Sequence, residues 1–539
     1  MSVVRVPVLI VGAGAAGLAT SALLAKQGIN SLLVEKRREI FIYPKARNLS
    51  FRSLEILRGL GVGDQVRAVA DRVSDMVVKP TLNSPEEELA IDIDAIFAGL
   101  DQLSPERAVQ YCPQSSLEPM LLAETRRRGS EVRYGTELRS FEQDDTGVTA
   151  VLRDLDSGED QTVRADFLIG ADGVRSKVRE SLDVTTSGHG ALPIFVVFIY
   201  FRAPWKRFVP HLNEGDGVQV KNPDVDGIFL EAKDDLGMFI TTYFPDKGET
   251  AAQFTPRYCS DVLTKAVGEP IDLEIIEAAA WQPYEQVADQ FQCGRVFLVG
   301  DSGHTMPPFK AGGANTAIQS AHNLAWKLAA VLRGTADAAL LASYHAERYP
   351  VARFAARQSL TGPTVALIDL DDQGPGLPAE EEASMFALLV GYQYRSTAVV
   401  SDQPAPDDSD AASLVDDLTG QPGTRVPHAW VRYGRKRVST LDLVGHDFTL
   451  LTDDDGVPWT EAAASASAVL GIPINIHRIG PAGDVQDPDR AWPQAAGIAN
   501  GGALLVRPDD FVGWRAATLP QSPADDLRRA LCQILGRVS

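Results

Sequence analysis

The chain has 539 residues, 45% of them hydrophobic, which is the composition of a globular protein long enough for several domains. A formal net charge of -21 argues against nucleic acid and anionic membrane as partners, since both would repel it. Four widely spaced cysteines without C-x-x-C and eight scattered histidines without ligand spacing point to no disulfide framework and no metal site, and a reducing, cytoplasmic setting is expected.

The first predicted element is a buried strand, Val8-Leu9-Ile10-Val11, running through Gly12-Ala13-Gly14-Ala15-Ala16-Gly17 into a helix. In such a strand-turn-helix Gly12 allows the tight turn, Gly14 lets backbone approach a pyrophosphate, and Gly17 lets helix pack on strand. The helix start at Ala15 then forms an anion site. A second strand, Ser31 to Val34, ends in Glu35 and Lys36, at the spacing where an acid binds a ribose diol. Val6 to Ala25 is uncharged and long enough to cross a membrane, but a spanning helix leaves Glu35 unexplained and no basic segment precedes it. A dinucleotide site accounts for both.

Next come Arg47, in Tyr43-Pro44-Lys45-Ala46-Arg47-Asn48, and a helix from Ser53 to Leu60 that ends at Gly61. A helix from Leu117 to Arg128 begins just after Gln114 and stops at Gly129. Short strands are predicted over Glu131 to Arg133, Gly147 to Leu152 and Thr162 to Arg164, and a buried one over Asp166 to Gly170 opens into the turn Asp172-Gly173. Between 191 and 282 the runs turn aromatic and β-branched, as in Ile194 to Phe201 and Met238 to Phe244, with a turn cluster from Asn213 to Gly217. These read as an inserted antiparallel sheet, one face of which could wall a pocket. The chain then returns to the first unit through Val296 to Asp301, followed by helices from about Asn315 to Leu332 and Leu340 to Gln358.

An acidic, Pro-containing stretch from Ser401 to Asp410 reads as a linker. Beyond it, strands at Phe448 to Leu451, Ile474 to Ile476, Ala503 to Val506 and Phe511 to Arg515, with helices at Thr460 to Leu470 and Pro523 to Leu535, give β-α-β then β-β-α. That order is thioredoxin-like, but with Cys532 alone the unit has no dithiol chemistry. The expected domains are 1–190 and 283–400 for the two parts of the dinucleotide unit, 191–282 for the substrate sheet, and 401–539 for the C-terminal unit.

The fingerprint, Gln114, Asp172-Gly173 and Gly300-Asp301-Ser302-Gly303-His304-Thr305-Met306-Pro307-Pro308 resemble class A flavoprotein monooxygenases, the p-hydroxybenzoate and phenol hydroxylase family. With the C-terminal unit, the chain is similar to actinomycete hydroxylases that tailor aromatic polyketides of anthracycline, angucycline and tetracenomycin type. The resemblance implies an α/β fold: a Rossmann-like FAD-binding domain, an inserted antiparallel β-sheet substrate domain, and a thioredoxin-like C-terminal domain lacking C-x-x-C. It implies tightly bound FAD, transient NADPH, dioxygen as co-substrate, and hydroxylation of a polycyclic phenol through a flavin C4a-hydroperoxide. Baeyer-Villiger or epoxidising chemistry, an antibiotic-inactivating role, and a non-catalytic binding protein on the same fold stay open as alternatives. Either a monomer or a homodimer is compatible, and no second glycine fingerprint marks a dedicated NADPH domain.

By the same resemblance Asp301 meets the ribityl chain, although an N-capping aspartate is the plain alternative. Pro307 packs at the reactive edge, and Gly312, Gly313 and Ala314 precede the helix that begins near Asn315 and faces flavin N1 and the C2 carbonyl. Arg47 and Gln114 match positions that touch flavin, phosphate or ribose, and Leu138 falls on the adenine-side strand. Asp172, Gly173 and Arg175 match a signature shared by FAD and NADPH, against a simple strand-end turn. Ser302-Gly303 stands where relatives carry Ala-Ala, and Ser320 where they carry an acid. His304 is as readily satisfied by loop backbone as used for proton transfer. Tyr200 and Tyr243 lie in the expected pocket sheet, and no catalytic base is assigned.

Overall fold

Val4–Val11 is the central strand of a mostly parallel sheet, and its last four residues are buried, as a strand covered on both faces requires. The computed structural model describes residues 3–40, 48–73, 75–211, 216–233, 236–310, 312–362, 381–401, 410–488 and 490–538. Arg47 and nearly all of the expected linker therefore lie outside the described residues.

The strand order is Gln292–Cys293, Val296–Leu298, Asp160–Gly170, Val4–Val11, Ser31–Glu35 and Glu131–Tyr134, parallel except at the first pairing. Val11 pairs with both Val34 and Gly170, so the turns after all three leave the sheet at one end. The two strands expected over Thr162 to Arg164 and Asp166 to Gly170 are one. Asp160–Gly170 is continuous because its first half also pairs with Gly147–Asp154 and its last residues with Val296–Leu298. Thr136–Asp144 completes the hairpin with Gly147–Asp154. Helix Ala15–Lys26 covers the sheet, and among the described residues no helix is long and apolar enough to cross a membrane.

The second sheet has seven strands in the order Glu274–Trp281, Phe195–Arg202, Leu236–Tyr243, Asp226–Lys233, Gly217–Lys221, Met76–Lys79 and Glu88–Ile91. It departs from the expected 191–282 boundary and from a purely antiparallel sheet. Met76–Lys79 and Glu88–Ile91 come from earlier in the chain, and Gly217–Lys221 pairs with Met76–Lys79 in parallel. Four-residue edge strands carry too little alternation to be read from sequence, and their pairing is set by partners far along the chain. One face of this sheet, with Val197, Ile199 and Phe201, is sealed by helix Pro256–Val267. The opposite face carries Phe198, Tyr200, Met238 and Ile240.

The C-terminal sheet runs Ile474–Arg478, Phe448–Thr452, Ala503–Val506, Val512–Ala516, the first pair parallel and the others antiparallel. Its core is continuous with the first unit, since Trp459, Leu505 and Leu531 cluster with Trp326 and Leu340. Charged groups cross the same junction. Arg507 pairs with Glu347 at 2.6 Å and Asp509 at 2.6 Å, Lys327 with Glu347 at 2.7 Å, Arg52 with Asp510 at 2.9 Å and Glu55 at 3.0 Å, and Arg425 with Glu55 at 3.5 Å. Four cations thus face four carboxylates, most of them fully buried.

Candidate active site

The glycine turn and the second loop meet. Gly300, at φ +69°, abuts the first turn of Ala15–Lys26 so closely that a Cβ there would lie 2.6 Å from that of Ala16. Gly12, at φ +108°, lets its strand end pass under the turn after Gly170, and an added Cβ would meet the Ala171 carbonyl at 2.2 Å. Gly17 presses on the same turn, with its own Cβ position 1.9 Å from the Gly12 carbonyl. Gly14 is different: the nearest atom to a Cβ there is Glu118 Oε1, at 3.7 Å. As the N-cap of Ala15–Lys26 it has no side chain to accept from the first-turn N–H groups, Ala15 among them, so the helix start receives no cap from it. An uncapped helix start beside a glycine with room in front of it fits a pyrophosphate.

Glu35 is half-buried at the end of its strand. Its Oε2 accepts from the Ala13 N–H at 2.9 Å and its Oε1 from Arg37 N–H at 2.9 Å, which fixes the carboxylate while each oxygen keeps a lone pair for a diol. Lys36 beside it is exposed. Gln114 is the first residue of helix Gln114–Arg127, which begins behind Pro113 rather than at Leu117, and its amide donates to Glu118. Glu118, buried and facing Gly14, is a residue that sequence reasoning missed; its spacing of one helical turn from Gln114 was the available signal. Leu138 is a core side chain on Thr136–Asp144, so only its backbone could meet a ligand.

Asp172 sits against Gly12, but its carboxylate is committed to the chain, accepting from Ser176 Oγ and from the Val178 N–H at 3.1 Å. Burial raises its pKa against those hydrogen bonds. This is the strand-end turn, and the backbone rather than the side chain faces the fingerprint. Gly173, at φ +87°, completes the turn, with nothing within 4 Å of a Cβ position.

Asp301 occupies the turn Gly300–Ser302 with its side chain exposed, while its carbonyl accepts from Thr305 Oγ at 2.9 Å. Ser302 is buried and hydroxyl-bonded to the Gly170 carbonyl at 2.6 Å, which pins the turn to the parallel sheet. The loop is then clamped from the other side. Thr305 and His304 pair with Gln286 and Val287 of Tyr284–Ala288, whose chain continues directly from the edge strand Glu274–Trp281 of the second sheet. The apolar face bearing Phe198, Tyr200 and Trp281 is thereby tied to the Asp301 loop.

Phe198 lies against Trp281 with ring centroids 5.2 Å apart and planes inclined by 60°, and the Trp281 indole N–H is buried without a partner among the described residues. Tyr200 is buried and Tyr243 half-buried against Phe195 and Phe254. His304 is fully buried and neither ring nitrogen reaches a partner among the described residues, so the expected satisfaction by loop backbone is not found. Burial, with the nearby Arg348 charge, pushes its pKa down to about 3, which keeps the ring neutral.

Pro307 is buried, and helix Gly312–Leu332 starts just beyond it. Gly312, Gly313 and Ala314 are half-buried, and a Cβ at Gly312 would stand 2.6 Å from Met306 Sδ, so that side chain would have to shift. Asn315 spends its side chain on Asn48–Ser50, accepting from the Ser50 N–H at 2.9 Å and donating to the Asn48 carbonyl at 3.1 Å. It therefore positions the segment that follows Arg47.

Residues 5–359 match the FAD binding domain family, and residues 419–538 match the aromatic-ring hydroxylase C-terminal family. The chain is 39% identical to a tetracenomycin A2 monooxygenase-dioxygenase of Streptomyces glaucescens, over 100% of this chain and 98% of that protein. It is 35% identical to an aklavinone 12-hydroxylase of Streptomyces purpurascens, over 99% of each. A solved ternary complex of aklavinone-11 hydroxylase with FAD and aklavinone superposes with a TM-score of 0.87 at 34% identity, covering 100% of both chains.

Proposed function

The chain belongs to the FAD-dependent aromatic-ring hydroxylases, and from that premise we propose that it hydroxylates a polycyclic, polyketide-type phenol, with NADPH as electron donor and dioxygen as oxygen source. The observation that carries this reading is the clamp on the Asp301 loop: one side rests on the fingerprint helix at Ala16, the other on the strand that continues from Trp281. A cofactor site and an aromatic wall are thus built on the same loop. When bound, the flavin supplies electron storage and dioxygen activation.

The chain's own residues bind, orient and exclude water. The Ala15 helix start, with Gly12, Gly14 and Gly17, takes the pyrophosphate, and Glu35 holds the adenosine ribose with Lys36 at its rim. Gln114, Arg47 and the backbone at Leu138 and Asp172 complete that end. At the other end Asp301 accepts from a ribityl hydroxyl, Pro307 closes the reactive edge, and the start of Gly312–Leu332 at Gly313 and Ala314 presents N–H groups to developing negative charge. On the substrate side Phe198 and Trp281 offer ring faces, and the Trp281 N–H is a donor for a substrate oxygen. The strand order of the C-terminal unit supports a thioredoxin-like buttress without redox chemistry.

The test is purified protein carrying flavin absorbance that oxidises NADPH faster when polycyclic phenols are added, with hydroxylated products identified by mass. Colourless protein that takes up no FAD overturns the reading. Asp301→Ala is expected to weaken FAD binding by roughly tenfold or more, the value of a hydrogen bond to a charged acceptor; unchanged flavin occupancy on dilution refutes the ribityl role. A second reading draws on the name of the Streptomyces glaucescens relative, a monooxygenase-dioxygenase. In that case the product gains more than one oxygen atom.

A further inference from the structure

Arg348 on helix Ala342–Gln358 is fully buried, yet among the described residues its guanidinium donates only to neutral oxygens: Ser320 Oγ at 3.1 Å, Tyr394 OH at 3.0 Å and the Thr316 carbonyl at 3.3 Å. No described carboxylate pairs with it. The adjacent Glu347 points instead to Lys327 at 2.7 Å and Arg507 at 2.6 Å, inside the junction network where four cations already face four carboxylates. Burial pushes the phenols of Tyr344 and Tyr394 far up, so neither supplies a negative charge. Arg348 is therefore a net positive charge in a dry interior, a costly arrangement in which the field is felt at full strength.

The charge lies close to the start of helix Gly312–Leu332. Its two contacts on that helix, Thr316 and Ser320, lie about 6 and 12 Å along the axis from the first residue, so the guanidinium sits behind the first turn. The helix start is itself positive, and Arg348 adds a full charge behind it. Its reach extends to the Asp301 loop, where it helps hold the His304 ring neutral.

We propose that Arg348 is a positioning residue for charge: an uncompensated cation that acts across the start of Gly312–Leu332 to stabilise reduced flavin and raise its reduction potential. Two electrons and one proton added to oxidised flavin, with NADPH as the reductant, leave one negative charge on the ring system, and that charge is what the cation favours. The inference rests on the reading above that this helix start faces the flavin ring. It goes beyond that reading by assigning the redox tuning to a residue that touches no cofactor.

The test is the flavin midpoint potential of the full-length, FAD-loaded protein, measured by reductive titration against a reference dye. Ser320→Asp places a carboxylate where Arg348 Nε now meets a hydroxyl, and Ser320→Asn places a neutral group of the same shape. The Asp variant is expected to shift the ratio of reduced to oxidised flavin about tenfold toward oxidised, about 30 mV lower for a two-electron couple, while the Asn variant leaves it in place. Should Ser320→Asp fail to fold, Arg348→Met is expected to lower the potential and Arg348→Lys to keep it. Equal shifts in the charged and neutral variants, or no shift with FAD bound, overturn the proposal. Wild-type protein that takes up no FAD overturns the functional reading, and this inference falls with it.

Discussion

His304 and His322 are both buried and held neutral, His304 at about 3 and His322 well below 6.5, in each case by burial first and a nearby arginine second. Below pH 6.5 the unfolded chain binds protons at these rings that the folded chain refuses. Stability is therefore expected to fall as pH drops below 6.5, by about 1.4 kcal/mol per pH unit for each ring, a loss that for His304 ends near 3. Thermal unfolding followed from about pH 6.5 to about pH 5, a window above most carboxylate titration, should show a falling midpoint and a shallower slope in His304→Leu. A flat wild-type profile would contradict neutral burial. At this scale the sequence was legible where a residue's task is local. Glu35 needed only its strand and spacing, but the commitment of Asp172 depended on Ser176 and Val178, and the environment of His304 on strand Tyr284–Ala288.

Among the elements, the strand-turn-helix of the fingerprint separates two kinds of glycine. Gly12 and Gly17 are required by the fold, since an added Cβ meets backbone oxygen at 2.2 Å and 1.9 Å, whereas at Gly14 it meets nothing closer than 3.7 Å. Gly17→Ala is expected to destabilise the protein by roughly 1–3 kcal/mol or more through overpacking. Gly14→Ala should keep its thermal midpoint as apoprotein and lose FAD affinity by about tenfold or more, because the new methyl stands where the pyrophosphate needs backbone. Denaturation of the apo forms alongside flavin titration tells the two apart; a folded Gly14→Ala with wild-type FAD affinity contradicts the pyrophosphate assignment. The same fingerprint was readable because all its constraints lie within one turn. Met76–Lys79 and Glu88–Ile91 were not, because short edge strands acquire their place only from Gly217–Lys221, far along the chain.

For the whole molecule, a linker after Ser401 and a C-terminal unit without dithiol chemistry suggest from sequence that removing the unit spares the flavin-binding residues and harms only solubility or assembly. The junction argues for a larger loss. Arg507, Asp509, Asp510 and Arg425 reach back to Glu347, Arg52 and Glu55, pairings between residues that no local pattern connects. Truncation would leave those partners as buried, unpaired charges, so the shortened chain is expected not to fold as a stable flavoprotein. Arg507→Ala alone should cost about 3–5 kcal/mol, the penalty for breaking a buried pair, read as a drop in denaturation midpoint. A truncated chain that is monodisperse and holds FAD like the full protein would show the unit to be dispensable. The central claim, that the loop joining cofactor site and aromatic wall makes this chain a hydroxylase, is tested most directly with isotopically heavy dioxygen. With FAD, NADPH and a polycyclic phenol that stimulates turnover, the account predicts a product whose rings are intact and whose new hydroxyl carries the heavy isotope. A product with an opened or lactonised ring, or NADPH consumed to peroxide alone across the whole phenol panel, would contradict it.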